Sequence, residues 1–122
     1  MSFFFLGFPT IILLCIPGNV NSAVSQGEYK ALIDIYNTMN GPNWSSKSNW
    51  KSGDPCSSQW TGVFCNGNSI SELYLSYNNL TGTFPSSIFG LGNLTSFSAA
   101  GNSLFGNLST LFNNFQPMIS IV

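Results

Sequence analysis

The feature of this sequence that most constrains its fold is a repeat of 24 residues in the C-terminal half. Residues 70–93 align with residues 94–117 without a gap, and eight of nine aligned positions keep their chemical type. The aligned pairs are Ile70 and Leu94, Leu73 and Phe97, Leu75 and Ala99, Asn78 and Asn102, Leu80 and Leu104, Gly82 and Gly106, Phe84 and Leu108, Ile88 and Phe112, and Leu91 and Phe115. A further step of the same length reaches Met118 and Ile121, so we expect a third unit to begin there. Such a period indicates stacked structural repeats, which usually bind other molecules rather than transform them.

Charged residues are few and are confined to the middle of the chain. The seven are Glu28, Lys30, Asp34, Lys47, Lys51, Asp54 and Glu72. There is no Arg, no His and no basic patch, so a nucleic-acid partner is excluded. A net charge of −1 also gives little long-range steering of a charged ligand.

The residue types that most enzymes need are missing or scattered. Without His, no Ser–His or Cys–His nucleophile can form. The four carboxylates are dispersed and show no acid–base pairing, and no metal-ligand spacing is present. We therefore predict that the chain is not an enzyme and that it has no cofactor and no metal site.

Residues 1–22 resemble a secretory signal peptide. Fourteen mostly apolar residues extend from Phe3 to Ile16, which is shorter than the roughly 20 that span a membrane. Pro17-Gly18 ends this run, and Val20-Asn21-Ser22 predicts cleavage before Ala23. No Lys or Arg precedes the apolar run, and the alternative is a buried element of the domain.

Cleavage at that point would remove Cys15 and leave Cys56 and Cys65 as an even pair. In an oxidising compartment these two would form a disulfide, which would stabilise the fold by about 2–3 kcal/mol. Two free thiols are the alternative. The prediction of the disulfide therefore depends on the prediction of secretion.

The segment 25–40 is predicted to be a helix. Ser25 and Glu28 form a capping box, and Asn40-Gly41-Pro42 ends the helix, with Gly41 suited to the left-handed closing position. One helical face carries the apolar side chains Tyr29, Leu32, Ile33, Tyr36 and Met39.

The following segment, residues 43–69, is rich in turn residues and large aromatic rings. We expect Trp44, Trp50, Trp60 and Phe64 to pack on the helix and cover the first repeat. The segment from Trp60 to Cys65 is predicted to be a short strand. A flexible linker is the alternative.

Within each repeat, alternation predicts a short strand with Leu73 and Leu75 pointing inward. Asn78 and Asn102 are expected to bond the backbone of the turn that follows them, forming an asparagine ladder between coils. Residues 80–85 would form a return strand in which Gly82 makes room, and residues 86–91 a helical turn.

The motif Leu73-x-Leu75-x-x-Asn78-x-Leu80-x-Gly82-x-Phe84-Pro85 resembles the extracellular, plant-type leucine-rich repeat. Asp54-Pro55-Cys56, Trp60-Thr61-Gly62-Val63 and Cys65 are similar to the N-terminal cap of receptor-like proteins, receptor kinases and secreted inhibitors. The segment 35–50 also resembles caps of leucine-rich-repeat proteins from protists and other microbial eukaryotes. Ala99 and Ser109 depart from the repeat pattern.

This resemblance implies an α/β leucine-rich-repeat solenoid, a right-handed coil with a short parallel sheet on its concave side. A helical, disulfide-bonded cap would precede it. The expected division is a signal peptide at 1–22, the cap at 23–69, repeats at 70–93 and 94–117, and the start of a third repeat at 118–122. No C-terminal cap follows, so we expect a truncated chain.

The resemblance also implies that ligands contact outward residues of the concave strands. The candidates are Glu72, Tyr74, Tyr77, Ser96 and Ser98, with the alternative that these are only solvated sheet residues. Four glycosylation acceptors are present, at Asn43, Asn79, Asn93 and Asn107.

Together these features predict a secreted or cell-surface leucine-rich-repeat recognition module that binds protein or carbohydrate and has no catalytic activity. A co-receptor is a further expected partner, and the membrane is one only if a downstream segment anchors the chain. The alternatives are the N-terminal fragment of a receptor-like kinase ectodomain, an inhibitor of a cell-wall-degrading enzyme, and a gene remnant without function.

Overall fold

The computed structural model describes residues 23–106 and 120–121 of the chain. Helix α1 spans Gln26–Thr38, and two short 3₁₀ helices span Gly41–Asn43 and Ser86–Gly90. The strands are β1 Val63–Asn66, β2 Ser69–Tyr74, β3 Thr81–Gly82, β4 Ser96–Ser98, β5 Ser103–Leu104 and β6 Ser120–Ile121. The predicted signal peptide at 1–22 and the acceptor Asn107 lie outside the described residues.

Four strands form the larger sheet in the order β1-β2-β4-β6. β2, β4 and β6 are parallel, and Leu73, Phe97 and Ile121 occupy the same register position in successive strands. The step between them is the repeat length seen in the sequence, so the predicted register is confirmed. β1 instead runs antiparallel to β2, to which it is joined by a tight turn, and its register shifts between Phe64 and Cys65.

A second, smaller sheet pairs β3 with β5 in parallel. The predicted return strand at 80–85 is thus reduced to Thr81–Gly82. The predicted role of Gly82 in making room was also wrong. A Cβ there would meet the nearest atom, the Thr38 carbonyl oxygen, at an ordinary 3.5 Å, but the backbone φ of +94° requires glycine.

The N-terminus of α1 is fixed by the predicted capping box, which is confirmed. The Ser25 hydroxyl accepts from the Glu28 amide at 3.2 Å, and Glu28 Oε1 accepts from the Ser25 amide at 3.3 Å. The predicted role of Gly41 at the other end was wrong, since Asn40 takes the left-handed conformation with φ 66°. Gly41 is required for space, because a Cβ there would lie 2.3 Å from the ring of Tyr36.

The buried face of α1 agrees with the predicted one except at Tyr29. Leu32 and Met39 are buried, and Ile33 and Tyr36 pack against the core, as expected. Tyr29 is 39% exposed, and the buried face extends instead to Ala31 and Ile35. The cause is the close approach of α1 to the 3₁₀ helix of the first repeat. A Cβ on Gly90 would lie 2.8 Å from the carbonyl oxygen of Gly27, so small residues face each other at this contact.

The three tryptophans pack on α1 and belong to one buried cluster with residues of the first repeat, as predicted. Trp44, Trp50 and Trp60 are buried, and neighbouring ring centroids in this series lie 4.9 and 5.2 Å apart. Each indole N–H donates to a backbone carbonyl, of Met39, Thr61 and Ser52 respectively. These bonds remove the cost of burying three polar N–H groups.

Phe64 was predicted to join this cluster, and that prediction was wrong. β1 begins at Val63 rather than Trp60, and Val63 points into the core. Since side chains alternate along a strand, Phe64 points to the opposite face and is 50% exposed.

The disulfide between Cys56 and Cys65 is confirmed. The Cα atoms of the two residues lie 5.8 Å apart, and the bond ties the loop after Asp54 to β1. Closing so short a loop contributes about 2–3 kcal/mol on the chain-entropy model.

Glu28 does more than cap the helix. Its side chain is only 6% exposed, and Oε2 accepts from the Ile70 amide and the Ser69 hydroxyl, each at 2.7 Å. The Ser25 hydroxyl also donates to Oε1, at 3.0 Å. One carboxylate therefore holds the first turn of α1 to the first strand of the repeat region.

We predict that Glu28→Ala lowers the free energy of unfolding by about 2–4 kcal/mol. The substitution leaves the buried Ile70 amide without its acceptor and removes half of the capping box. Urea unfolding of the full chain measures the loss. Lys30→Ala, on an exposed position of the same helix, is the control and should change stability by less than about 0.5 kcal/mol. A similar small loss for Glu28→Ala would contradict the prediction.

A second carboxylate, that of Asp54, holds the segment that precedes α1. Asp54 Oδ1 accepts from the Val24 amide at 2.8 Å, while Oδ2 accepts from the amides of Cys56 and Ser57 at 2.9 and 3.0 Å. Burial alone would raise the pKa of Asp54, but these N–H donors outweigh it and lower the pKa below its ordinary value.

This lowered pKa predicts an acid-dependent loss of stability. The ionised form stabilises the fold above the ordinary aspartate pKa, and the contribution disappears as the pH falls through the lowered pKa. Between about pH 5 and pH 2.5, the unmodified chain should therefore lose more unfolding free energy than Asp54→Asn does. Urea unfolding at the two pH values provides the comparison. Equal losses in the two proteins would show that Asp54 does not contribute.

Candidate functional site

A row of side chains crosses the open face of the larger sheet. Phe64 of β1 lies opposite Glu72 of β2, and Glu72 is in register with Ser96 of β4. Residues opposite each other on neighbouring strands point to the same face, so these three share one surface. Tyr74, two residues beyond Glu72, extends the row and is 40% exposed. We call Phe64, Glu72, Tyr74 and Ser96 the Glu72 patch.

Contacts within the Glu72 patch fix its members relative to one another. The rings of Phe64 and Tyr74 lie 5.4 Å apart between centroids, in a tilted arrangement. The Tyr74 hydroxyl donates to Glu72 Oε1 at 3.0 Å and lies 3.3 Å from the Ser96 hydroxyl. The patch is therefore two exposed rings with a carboxylate hydrogen-bonded at their edge.

The remaining two predicted ligand residues differ in their placement. Ser98 is in register with Tyr74 and therefore shares the face of the Glu72 patch. It is hydrogen-bonded to the hydroxyl of Ser76, which in turn accepts from the Ala100 amide at 3.1 Å. Tyr77 follows β2 in a turn, with φ 53° and 78% exposure. Its ring lies against Gly101, where a Cβ would approach to 2.2 Å. Glu72, Tyr74, Ser96 and Ser98 thus share the open face of the sheet, whereas Tyr77 lies in the turn that follows β2.

Phe64 was absent from the predicted site, although the sequence contains the signal for it. Val63 and Cys65 alternate with it, so once their inward orientation is recognised, Phe64 must face the same side as Glu72. The antiparallel direction of β1 could not be predicted in this way, because β1 lies before the first repeat and the repeat period does not include it.

Two surface depressions flank the Glu72 patch. The disulfide groove, of about 680 Å³, is bordered by Cys56, Gln59, Thr61, Phe64, Cys65 and Asn68 among others. The polar groove, of about 490 Å³, is bordered by Asn66, Ser69, Ser71, Glu72, Asn93 and Thr95. Phe64 borders the first and Glu72 the second. Glu72 is the one charged residue in either lining.

The lysines of the chain are all engaged away from Glu72. Lys30 forms a salt bridge with Asp34 at 2.6 Å, and this contact lowers the pKa of Asp34 below its usual value. The Lys47 ammonium lies 3.5 Å from the Trp44 carbonyl oxygen, and that of Lys51 lies 5.2 Å from the centre of the Tyr36 ring. The carboxylate of Glu72 therefore has no cationic partner within the described part of the chain.

The two asparagines of the predicted ladder bond backward rather than forward along the chain. Asn102 Oδ1 accepts from the amides of Asn78 and Leu80, both at 2.9 Å, and Nδ2 donates to the Leu75 carbonyl at 2.8 Å. Nδ2 also contacts the carbonyls of Ala99 and Ala100 in its own turn. The expectation that it bonds the turn after it was wrong, because the unpaired backbone groups belong to the preceding unit.

Asn78 makes the equivalent contact to the cap. Its Oδ1 accepts from the Ser46 amide at 2.6 Å, and its Nδ2 donates to the Ser46 carbonyl at 3.0 Å. Asn78 is 4% exposed, so these bonds satisfy a buried amide. Each asparagine thus completes the turn of the unit before it.

Three of the predicted glycosylation acceptors fall within the described residues, and all three are exposed. The Asn43 side-chain amide donates to Asn40, and that of Asn79 donates to the Asn43 carbonyl at 3.1 Å. The Asn93 amide donates to the Ser69 hydroxyl at 2.7 Å, at the edge of the polar groove. A linked sugar replaces one of the two amide hydrogens, and glycosylation at these residues stays a prediction.

Over residues 23–106 and 120–121, no three His, Cys, Asp or Glu residues lie close enough to hold a metal ion. Among the same residues, no helix has both the length and the apolar character needed to cross a membrane.

The N-terminal part of the chain is similar to a known protein family. Residues 25–66 match the family model described as the leucine rich repeat N-terminal domain. That region contains the capping box, the tryptophans, the disulfide and all of β1. The resemblance to the plant-type N-terminal cap is therefore confirmed.

Three relatives from Arabidopsis thaliana extend the similarity into the repeats. Protein STRUBBELIG-RECEPTOR FAMILY 5 is 39% identical over 83 residues, which is 66% of this chain and 12% of that protein. The LRR receptor-like serine/threonine-protein kinase GSO2 is 30% identical over 113 residues, or 89% of this chain and 9% of the relative. Receptor-like protein kinase HSL1 is 34% identical over 108 residues, or 87% and 10%. The chain spans about a tenth of the length of these curated relatives.

We predict that Asn102→Ala lowers the free energy of unfolding by about 2–3 kcal/mol, because two backbone amides lose their acceptor. Hydrogen exchange at the Leu80 amide should accelerate in the same variant. Asn37→Ala, at an exposed position of α1, is the control and should leave both quantities nearly unchanged. If the two variants behave alike, the amide of Asn102 does not join the units.

Proposed function

We propose that this chain forms the N-terminal part of the extracellular region of a receptor-like protein, because residues 25–66 match the family model of the leucine rich repeat N-terminal domain. In this proposal the cap at 23–69 covers one end of a right-handed solenoid, and residues 70–93 and 94–117 are its first repeats. The parallel sheet β2-β4-β6 lies on the concave side. The chain acts in recognition and does not catalyse a reaction.

The observation that carries this proposal is the constant register of the parallel strands. Leu73, Phe97 and Ile121 follow one another in equal steps across three strands. Leu73 and Phe97 are fully buried, so each unit supplies part of a shared interior. Such an interior extends by addition of further units of the same length, as in repeat proteins generally. The similarity to receptor-like kinases across 87–89% of the chain supports the same interpretation.

The open face of the sheet is the surface that we assign to recognition. It carries the Glu72 patch, whose two exposed rings offer large contact areas with little loss of conformational entropy. Such a surface suits a protein ligand or a co-receptor better than a catalytic reaction. The names of the relatives, which are receptors, support a role in recognition.

We also propose an extracellular or cell-surface location. The predicted signal peptide at 1–22, the disulfide and the three exposed acceptors Asn43, Asn79 and Asn93 each suit a secreted protein. Glycosylation at Asn107 belongs to the same proposal.

A chimera tests whether the cap and repeats serve as the start of such an ectodomain. Residues 1–117 would replace the matching N-terminal region in the ectodomain of one of the relatives. Expressed in insect cells, the chimera should be secreted as a monodisperse protein beginning at Ala23, because the first repeats offer the following repeat a compatible interior. Its mass before and after removal of glycans reports which acceptors carry sugar.

The control for the chimera carries Leu73→Asp and Phe97→Asp. Two carboxylates in the shared interior should prevent folding and retain the protein inside the cell. Aggregation of the unsubstituted chimera, or its failure to leave the cell when the relative's own ectodomain is secreted, would contradict the proposal.

A further inference from the structure

We propose that the Glu72 patch binds an arginine side chain of a partner protein. The inference rests on the proposed function in that it takes the open sheet face to be the recognition surface. It adds the chemistry of the partner. The site combines a carboxylate that lacks a cation with two exposed aromatic rings next to it.

The position of the carboxylate is the first support. Phe64 and Glu72 are directly opposite on antiparallel strands, so the ring and the carboxylate lie side by side on one face. The Tyr74 hydroxyl donates to Glu72 Oε1 and holds the carboxylate beside both rings. Because each carboxylate oxygen accepts more than one hydrogen bond, Glu72 retains capacity for an incoming donor.

The charge balance of the chain is the second support. All seven charged side chains belong to the described residues, and the three lysines contact Asp34, the Trp44 carbonyl and the Tyr36 ring. Neither groove beside the patch contains a second charge. A partner that approaches this face therefore meets one negative charge, and the complementary group is a cation.

The two rings determine which cation fits best. A guanidinium is planar, stacks on aromatic faces and offers paired N–H donors to a carboxylate, whereas an ammonium is a compact and strongly hydrated point charge. Phe64 and Tyr74 are 50% and 40% exposed, so part of each ring is accessible to a guanidinium. The grooves on either side, of about 680 and 490 Å³, leave room for the residues that flank the arginine.

Two competing roles of the Glu72 patch have to be distinguished from arginine binding. In the first, the contacts among Phe64, Glu72 and Tyr74 are purely structural and only stabilise the β1–β2 pair. In the second, the rings stack on a neutral sugar, for which the charge of Glu72 is irrelevant. The experiment therefore compares ligands that differ only in charge.

The experiment titrates the isotopically labelled full chain with acetyl-Gly-Gly-Arg-Gly-Gly-amide and follows backbone amide signals by NMR. The matched ligand replaces arginine with citrulline, which has nearly the same shape and no charge. We expect saturable shifts at Phe64, Glu72 and Tyr74 with the arginine peptide, and at least roughly fivefold weaker binding of the citrulline peptide. The lysine peptide should bind more weakly than the arginine peptide, and added salt should weaken binding of both.

Variants then assign the binding to the patch. Glu72→Gln keeps the size of the side chain and should weaken arginine binding by at least roughly fivefold, and Phe64→Ser should weaken it by roughly threefold. Tyr77→Ser removes an exposed ring outside the patch and is the control that should leave binding unchanged. Unfolding curves of each variant report whether the fold is retained.

Equal binding of the arginine and citrulline peptides, or no saturable shift with either, would overturn the proposal without requiring any variant. Saturable shifts with cellotriose at Phe64 and Tyr74 that persist in Glu72→Gln would favour sugar binding and also overturn it. Since the chimera is scored by secretion and folding, failure of arginine binding leaves the proposed ectodomain role standing. Failure of the chimera, in turn, does not alter the peptide result.

Discussion

The carboxylate of Glu28 joins the cap to the repeat region, and the placement of the other elements depends on this joint. One of its oxygens completes the first turn of α1, while the other accepts from the backbone of β2. α1 also packs on the 3₁₀ helix Ser86–Gly90, and the tryptophans belong to the same buried cluster. The cap and first repeat therefore share one core, and a change that loosens the joint exposes interior surface of both.

Asn78 and Asn102 bond backbone groups of the turns, as Glu28 bonds the backbone of β2. In each case a side-chain amide supplies the donor or acceptor that the backbone of the preceding segment lacks. Asn78 does so for the loop at Ser46 and Asn102 for the turn at Asn78 and Leu80. Because a turn has no continuous ladder of its own, its polar groups would otherwise be buried without partners. Each unit therefore stabilises the turn of the segment before it, so that the stability of one unit depends on the presence of the next.

Much of this arrangement could be predicted where local chemistry decides it. The repeat period predicted the register of Leu73 and Phe97, and residue identity predicted the capping box. The predicted secretion, which removes Cys15, predicted the disulfide between the two remaining cysteines. The wrong predictions concern features that depend on the packing of other parts of the chain. The face of α1 is selected by the approach of Gly90, and Phe64 turns outward because β1 starts later than expected. The second role of Glu28 joins residues 42 positions apart, a distance over which a sequence pattern gives no signal.

β1 is the edge strand of the larger sheet and runs antiparallel to its neighbour. A parallel strand at this border would present the same backbone template as its neighbours and would invite another chain to pair with it. β1 is instead only four residues long, has an irregular register and is tethered at Cys65 to a loop. Short, bulged and covered borders resist strand-to-strand self-association. This edge of the sheet is therefore poorly suited to pairing with a strand of another chain.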